Sequence, residues 1–210
     1  GTGAGTIGIR AGYSQQGFEA LWVMGTLIET HDTGIWLGGW GNIRNVTIAE
    51  LPNGDYGFTI LRNFLFFAFQ RELWAVLQAS AEVEFSEIAR KSLTETRYHV
   101  QHASDWVIRL GDGTDESHAR MQRALNALWP YTAEFFSASA IDDADAGRAW
   151  SMLESGWLSA VRPVLDVATL QIPAPTTFLS RGKEGIHGEH LTPLLAEMQH
   201  LQRAYPNCDW

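Results

Sequence analysis

IARKSLTETRYHVQHASDWVIRLGDGTDESHARMQRALNALWPYTAEFF, residues 88–136, is the stretch that decides the fold. Small and apolar residues recur through its first half at alternating steps of four and three, the spacing of a helix face that packs against another. They are Ala89, Leu93, Thr96, Val100, Ala103, Val107 and Leu110. Gly111 and Gly113 end this helix, and Thr114 caps the next one. Two helices joined by so short a turn lie antiparallel.

A polar line runs along one flank of the first helix. Glu95, His99, His102 and Trp106 follow the steps of the apolar face but are displaced from it by one residue, or about 100°. We therefore expect these side chains to flank the core rather than to face open water.

Helical patterns also cover most of the remaining chain. Residues 56–80 read as a helix that is apolar on nearly all sides, 150–168 as a helix bent by Pro163, and 191–205 as a last helix. Pro130 interrupts the backbone hydrogen bonds of the second helix, which predicts a kink or a restart after Trp129. With no credible sheet and no internal repeat, the chain is predicted to be an all-α helical bundle.

Composition excludes several classes of function. The chain has 210 residues, enough for one domain with a substantial core, and 45% of them are hydrophobic. Its formal charge of -9 argues against nucleic-acid binding, which needs a basic surface. No apolar run is long enough for a membrane helix. A single cysteine, Cys208, is typical of a reducing compartment, so we expect a cytoplasmic protein.

The first 44 residues differ in composition from the rest, because they contain 11 of the 20 glycines. We therefore divide the chain into an atypical glycine-rich segment, 1–44, and a helical domain, 45–210. The break near Asn42 suggests either a truncated N-terminus or a reading-frame error upstream of Arg44. Resequencing the coding DNA distinguishes the two.

One constellation has the spacing of a di-iron site. Glu197 and His200 form a Glu-x-x-His motif, which points a carboxylate and an imidazole from one helix face into a bundle. A complete site needs a second such motif and two more glutamates, and here Glu95 and His99 are four apart rather than three. The candidate ligands are Glu72, Glu95, His99, Glu134, Glu197 and His200. The alternative is ordinary ion pairing, for instance of Glu95 with Lys91.

A second histidine pair lies near the C-terminus. His187 and His190 are three residues apart, but zinc needs three or four ligands and no cysteine pair assists them. A helix-capping cluster is the alternative interpretation. Arg181 and Lys183 lie in a glycine-containing segment that lacks the spacing of a phosphate-binding loop.

Several strings in order resemble one protein family. They are Pro52-Asn53-Gly54-Asp55, Glu95-Thr96-Arg97-Tyr98-His99 with His102, Asp105-Trp106-Val107, Arg109-Leu110-Gly111-Asp112-Gly113-Thr114, Leu128-Trp129-Pro130-Tyr131-Thr132, Glu189-His190-Leu191 and Leu195-Ala196-Glu197-Met198-Gln199. From about Asn45 to Trp210 the chain resembles the C subunit of the bacterial multicomponent phenylacetyl-CoA 1,2-epoxidase. His200 departs from the family, in which that position is usually Tyr.

The resemblance implies a ferritin-like fold that has lost its iron ligands, with no catalytic residue and no cofactor of its own. It also implies two partners. One is a catalytic A subunit that holds the di-iron centre, and the other is a reductase subunit that carries flavin and iron-sulfur groups. The chain would then support the catalytic subunit in phenylacetate catabolism.

Two alternatives remain at this point. In the first, the chain is a catalytic di-iron oxygenase subunit in its own right, which uses the six ligands named above. In the second, it is an unrelated helical binding module whose tryptophan-rich face takes another protein, since Trp is enriched in interface hot spots. Core packing is the default interpretation of the helical tryptophans.

Overall fold

The structure is a computed structural model that describes residues 13–14, 17–18, 20–22, 42–44, 46–79, 83–137 and 144–205. For residues 13–44, 84–85, 144–151 and 202 the description covers the backbone alone. The chain divides into two compact units. We call Pro52–Ser180 the helical unit, and Gly1–Leu51 together with Arg181–Trp210 the terminal unit.

Four α-helices form the helical unit, and their bounds follow the sequence patterns closely. They are α1, Tyr56–Leu77; α2, Val83–Gly111; α3, Asp115–Leu128; and α4, Ala144–Val167. A 3-10 helix, Trp129–Phe136, continues directly from α3, so the predicted interruption of the α-helix near Pro130 is confirmed, although it begins at Trp129 rather than after it. Pro163 lies inside α4, as the sequence predicts. No helix among the described residues is long and apolar enough to cross a membrane.

Helix α1 is the centre of the helical unit and contacts α2, α3 and α4. Half of its 22 residues are buried, from Gly57 to Trp74. Its start is fixed by Asp55, whose side chain accepts a hydrogen bond from the backbone N–H of Phe58 at 2.9 Å. Such an N-cap satisfies one of the donors that the first turn leaves without a helical partner.

Aromatic rings fill the space between α1, the 3-10 helix and α4. Phe69 stacks on Phe135 with ring centroids 4.7 Å apart, and Phe135 meets Trp157 edge to face. The indole N–H of Trp157 donates to the backbone carbonyl of Leu65 at 3.0 Å, which joins α4 to α1. Trp74 and Trp157 are buried, as core packing predicts, whereas the side chain of Trp150 lies outside the described residues.

The terminal unit contains the shorter elements. Its strands are β1, Tyr13–Ser14; β2, Gly17–Phe18; β3, Ala20–Trp22; and β4, Asn42–Arg44, with β1 antiparallel to β2 and β3 parallel to β4. Thr47–Ala49 and Gly182–Glu184 are 3-10 helices, and α5, Leu191–Met198, precedes α6, His200–Ala204. Strands of two or three residues cannot form a layer of a domain. The fold is all-α, as predicted, and the boundary at residue 44 stays a prediction.

The ends of α2 and α4 approach each other closely at Gly111. A Cβ at this position would lie 2.5 Å from the carbonyl oxygen of Ala168. His118 of α3 donates from Nδ1 to the Gly111 carbonyl at 2.8 Å. The next residue after Ala168, Thr169, has a φ of 57°, a left-handed conformation that is uncommon outside glycine. This corner fixes where three helices end or begin.

We expect Gly111→Ala to lower the free energy of unfolding by about 1–3 kcal/mol, the usual cost of an atom forced into packed space. The added methyl group meets backbone atoms, which cannot move aside as a flexible side chain can. Urea unfolding measures the change.

Gly188→Ala is the matched control, because its Cβ would meet nothing nearer than a carboxylate oxygen of Glu50 at 3.9 Å. We expect that variant to stay within about 0.5 kcal/mol of the parent. A Gly111→Ala protein as stable as the control would contradict the close approach.

Candidate functional site

The six candidate iron ligands lie in both units, and four of them belong to the helical unit. Glu72 on α1 accepts two hydrogen bonds from the guanidinium of Arg71, at 2.7 and 3.0 Å. Its other carboxylate oxygen would lie 2.6 Å from a Cβ at Gly156, so α4 passes directly beside it. The carboxylate of Glu72 therefore pairs with Arg71 and lies against the backbone of α4 at Gly156.

Glu95 and His99 lie on the exposed flank of α2. Both side chains are solvent-exposed, as is His102, and only Trp106 of the polar line is partly buried. The expectation that this line flanks the core rather than facing water is therefore wrong for Glu95, His99 and His102, because α1 covers only part of that side of α2. His99 packs its ring on Phe67 at a centroid distance of 5.1 Å. The expected ion pair of Glu95 with Lys91 is also not formed within the described chain.

Glu134 is fully buried in the 3-10 helix after α3. Its carboxylate accepts a hydrogen bond from the hydroxyl of Ser180 at 2.6 Å. Ser180 is itself buried and ends the long connection that follows α4. A buried carboxylate needs hydrogen-bonding partners to offset its lost hydration. Here one of them fastens a loop to the core.

Glu197 and His200 belong to the terminal unit, and both are exposed. A short break at Gln199 separates them, since α5 ends at Met198 and α6 begins at His200. The Glu-x-x-His spacing in the sequence therefore does not lie on one continuous helix.

These residues do not fit a di-iron centre. Across the described residues, no group of three or more His, Cys, Asp or Glu side chains is arranged to hold a metal ion. In the helical unit, Glu72 is paired with Arg71, Glu134 is bonded to Ser180, and the helix flank that carries His99 faces solvent. A di-iron site needs inward carboxylates from several helices together with two Glu-x-x-His motifs. We derive no chemical step through iron in this chain.

A carboxylate and imidazole pair that the sequence analysis missed lies in the terminal unit. Glu50 is buried, and its Oε1 lies 2.6 Å from Nδ1 of His187, while its Oε2 accepts from the N–H of Gly188 at 3.1 Å. Nearby, the hydroxyl of Thr47 accepts from the N–H of Gly182 at 3.2 Å. Glu50 is 137 residues from His187, and no sequence pattern links residues so far apart. The pair fastens two distant segments together.

His190 does not join this pair in a metal site. Its Nε2 lies 4.0 Å from the carboxylate of Glu189, which is almost fully exposed. His190 is also the residue that precedes α5, but its side chain forms no capping hydrogen bond. His187 therefore contacts the carboxylate of Glu50, a contact that neither the zinc interpretation nor the capping interpretation predicted.

A shallow pocket of about 250 Å³ lies between the start of α1 and helix α3. It is lined by Gly54, Asp55, Phe58, Arg120, Arg123 and Ala124. Arg120 pairs with Glu116 at 2.5 Å and with Asp55 at 3.4 Å, and the hydrogen bond that Arg120 donates to Glu116 is the main cause that raises the pKa of Arg120. Burial lowers the pKa of Arg62, whose guanidinium bonds to Asn53 at 2.6 Å. These contacts organise the start of α1.

Comparison with known proteins identifies the family of this chain. Residues 16–210 match the family described as phenylacetic acid catabolic protein. The chain belongs to the phenylacetic acid catabolic protein family. Among its relatives is the C subunit of the 1,2-phenylacetyl-CoA epoxidase of Escherichia coli strain K12, which is 38% identical over 170 residues. The aligned region covers 79% of this chain and 68% of the relative.

Membership of the phenylacetic acid catabolic protein family confirms the resemblance drawn from the ordered strings, and the helical unit agrees with the ferritin-like all-α fold that the resemblance implies. The match begins at residue 16, inside the glycine-rich segment. An unrelated helical binding module is therefore excluded as a description of this chain.

We expect Ser180→Ala to lower the free energy of unfolding by about 1–3 kcal/mol, because it removes a hydrogen bond from a buried carboxylate. The end of the long connection should also become more accessible, which limited proteolysis measures. Ser159→Ala is the control, since Ser159 is exposed and bonds only to the helix carbonyl of Ser155. Equal stability of the two variants would show that the Ser180 bond contributes nothing.

Proposed function

We propose that this chain is a structural, non-catalytic subunit of a multicomponent phenylacetyl-CoA epoxidase in phenylacetate catabolism. The observation that carries the proposal is the 38% identity to the C subunit of the bacterial epoxidase over 79% of the chain. In this role the chain holds the catalytic subunit in a folded and correctly positioned state. We place the complex in the cytosol, which agrees with the single cysteine of the chain.

The positions of the six candidate iron ligands favour a structural role for this chain. A catalytic subunit needs carboxylates and imidazoles that point together into the bundle, with open positions for oxygen. In this chain, the interior beside Glu134 is filled by stacked rings, including Phe69 and Phe135. As the family resemblance implies, we assign the cofactors of the proposed complex to the partners, with di-iron in the catalytic subunit and flavin and iron-sulfur groups in the reductase.

Co-expression with the catalytic subunit from the same source tests the proposal directly. We expect the two chains to co-purify through affinity and size-exclusion steps, and the catalytic subunit to be less soluble when it is expressed alone. A catalytic subunit that is fully soluble and active alone, and that does not bind this chain, would overturn the proposal.

Iron analysis separates the structural role from the alternative of a catalytic di-iron subunit. After the two chains are separated, we expect iron to remain with the partner and the present chain to carry well below one iron per molecule. Glu197→Ala should leave its iron content unchanged, as should the control Glu189→Ala, which alters another exposed carboxylate of the terminal unit. Two irons per chain that are lost in Glu197→Ala but kept in Glu189→Ala would establish the catalytic alternative.

A further inference from the structure

The segment that leads into α1 contains the one asparagine of the sequence that is followed by glycine. We call Pro52-Asn53-Gly54-Asp55 the entry segment. Asparagine is among the thermolabile residues of proteins. A following glycine makes it more reactive, because glycine has no Cβ to crowd the ring through which the amide is lost. The other asparagines precede larger residues, and they are Asn42, Asn45, Asn63, Asn126 and Asn207.

The reaction of such a pair needs only the side-chain amide of Asn53, the backbone nitrogen of Gly54 and water. The backbone nitrogen loses its proton and attacks Cγ of Asn53, which forms a C–N bond and closes a succinimide ring. The side-chain nitrogen takes up a proton and leaves as ammonia when its bond to Cγ breaks. Water then opens the ring at one of its two carbonyls. One opening gives aspartate with a normal backbone, and the other gives isoaspartate, so the reaction exchanges water for ammonia without any oxidation or reduction.

The reacting groups of the entry segment are accessible. Asn53 and Gly54 are both exposed and lie outside any helix or strand. Among the hydrogen bonds of the described residues, neither the backbone N–H of Gly54 nor the side-chain nitrogen of Asn53 is a donor. The shallow pocket described above borders Gly54, so water reaches the same backbone. The attacking nitrogen, the leaving nitrogen and the water therefore have no protein group to displace.

Asn126 is a suitable comparison within the same chain. It lies in α3, where its side-chain oxygen accepts a hydrogen bond from Gln122 at 3.0 Å. The following residue, Ala127, donates its N–H to a carbonyl one helical turn earlier, so this nitrogen points along the helix and away from the Asn126 side chain. The methyl group of Ala127 also crowds the ring. The helix therefore protects the amide of Asn126, whereas no helix protects that of Asn53.

Arg62 of α1 gives the aspartate product a partner. Its guanidinium Nη2 donates to Oδ1 of Asn53 at 2.6 Å, and burial lowers the pKa of Arg62. A carboxylate at position 53 would replace the neutral acceptor of this bond by a charged one. Hydrogen bonds between two charged groups are shorter and stronger than neutral ones. The product with a normal backbone therefore keeps the contact with Arg62 and converts it into an ion pair.

The isoaspartate product acts differently, because it lengthens the main chain by one carbon between positions 53 and 54. Gly54 lies so close to α1 that a Cβ on it would be 2.9 Å from Phe58. The next residue, Asp55, caps α1 by accepting from the N–H of Phe58 at 2.9 Å. A longer backbone displaces both residues, and loss of a cap loosens the first turn of a helix. The second product therefore weakens the start of α1.

We propose that Asn53-Gly54 is a self-modification site, at which the folded chain converts its own asparagine to aspartate and isoaspartate. This inference goes beyond the proposed function and does not depend on it. Each modified molecule gains one negative charge, and the isoaspartate fraction has a loosened first turn in α1, the helix around which α2, α3 and α4 pack.

Peptide mapping by mass spectrometry tests the inference on the full chain, which is incubated in its folded state at neutral and mildly alkaline pH. We expect the peptide that contains Asn53 to show the mass gain of an exchange of NH for O, and to separate by chromatography into two products. This gain should be at least about tenfold faster than at Asn126, which reacts only when its helix opens locally. It should also be faster at the higher pH, because the attacking nitrogen must lose its proton.

Asn53→Gln is the matched variant, because it keeps an amide beside Arg62 but can react only through a larger ring that closes slowly. We expect no gain at this position in that variant. Asn53→Asp reproduces the product with a normal backbone, so it should unfold at the parent temperature or above. Hydrogen exchange in the first turn of α1 should be faster in the isoaspartate fraction than in Asn53→Asp. A folded chain that reacts no faster at Asn53 than at Asn126, or an Asn53→Gln chain that gains mass as the parent does, would overturn the inference.

Discussion

The helical unit depends on one constraint, which is that α1 is apolar on nearly all sides and must be covered on nearly all sides. Its buried residues include Phe64, Leu65 and Phe69, each of which contributes about 1.5–3 kcal/mol when removed from water. A helix of this kind is unstable at a surface, so α2, α3 and α4 pack around it. The hydrogen bond from Trp157 to the α1 backbone then fixes the position of α4.

This arrangement explains the environments of the polar groups. Aromatic rings between α1, the 3-10 helix and α4 occupy the interior, where Phe135 contacts both Phe69 and Trp157. A carboxylate in such surroundings is stable only when it is hydrogen-bonded, and Glu134 obtains one bond from Ser180. The other glutamates of the helical unit considered above, Glu72 and Glu95, are paired with arginine or exposed to solvent. The polar side chains of these helices therefore form hydrogen bonds and ion pairs within the helical unit or lie in solvent.

The helices could be predicted from the sequence because each one leaves a local periodic pattern. The apolar spacing from Ala89 to Leu110, the turn at Gly111 and the proline at 130 act within a few residues, and α2, α3 and the 3-10 helix follow them. The exposure of Glu95 and His102 was not predicted, because periodicity gives the angle of a side chain about its helix and does not show how far a neighbouring helix extends over it.

Hydrogen-bonded pairs of residues far apart in the sequence could not be predicted for a related reason. Glu50 with His187, and Glu134 with Ser180, join residues that are 137 and 46 positions apart. Neither pair has a fixed spacing or a motif, since each depends on where the backbone returns in space. Histidines three residues apart at His187 and His190 suggested zinc, whereas His187 contacts Glu50, a glutamate 137 residues earlier in the chain.

The contact of Glu50 with His187 and Gly188 also sets an order of events while the chain is being synthesised. Glu50 leaves the ribosome before its partners, which emerge 137 residues later, a delay of roughly 7 to 27 seconds at 5–20 residues per second. Helices α1 to α4, which lie within Pro52–Ser180, have all been synthesised before then. The carboxylate of Glu50 therefore stays in water until His187 and Gly188 have been translated.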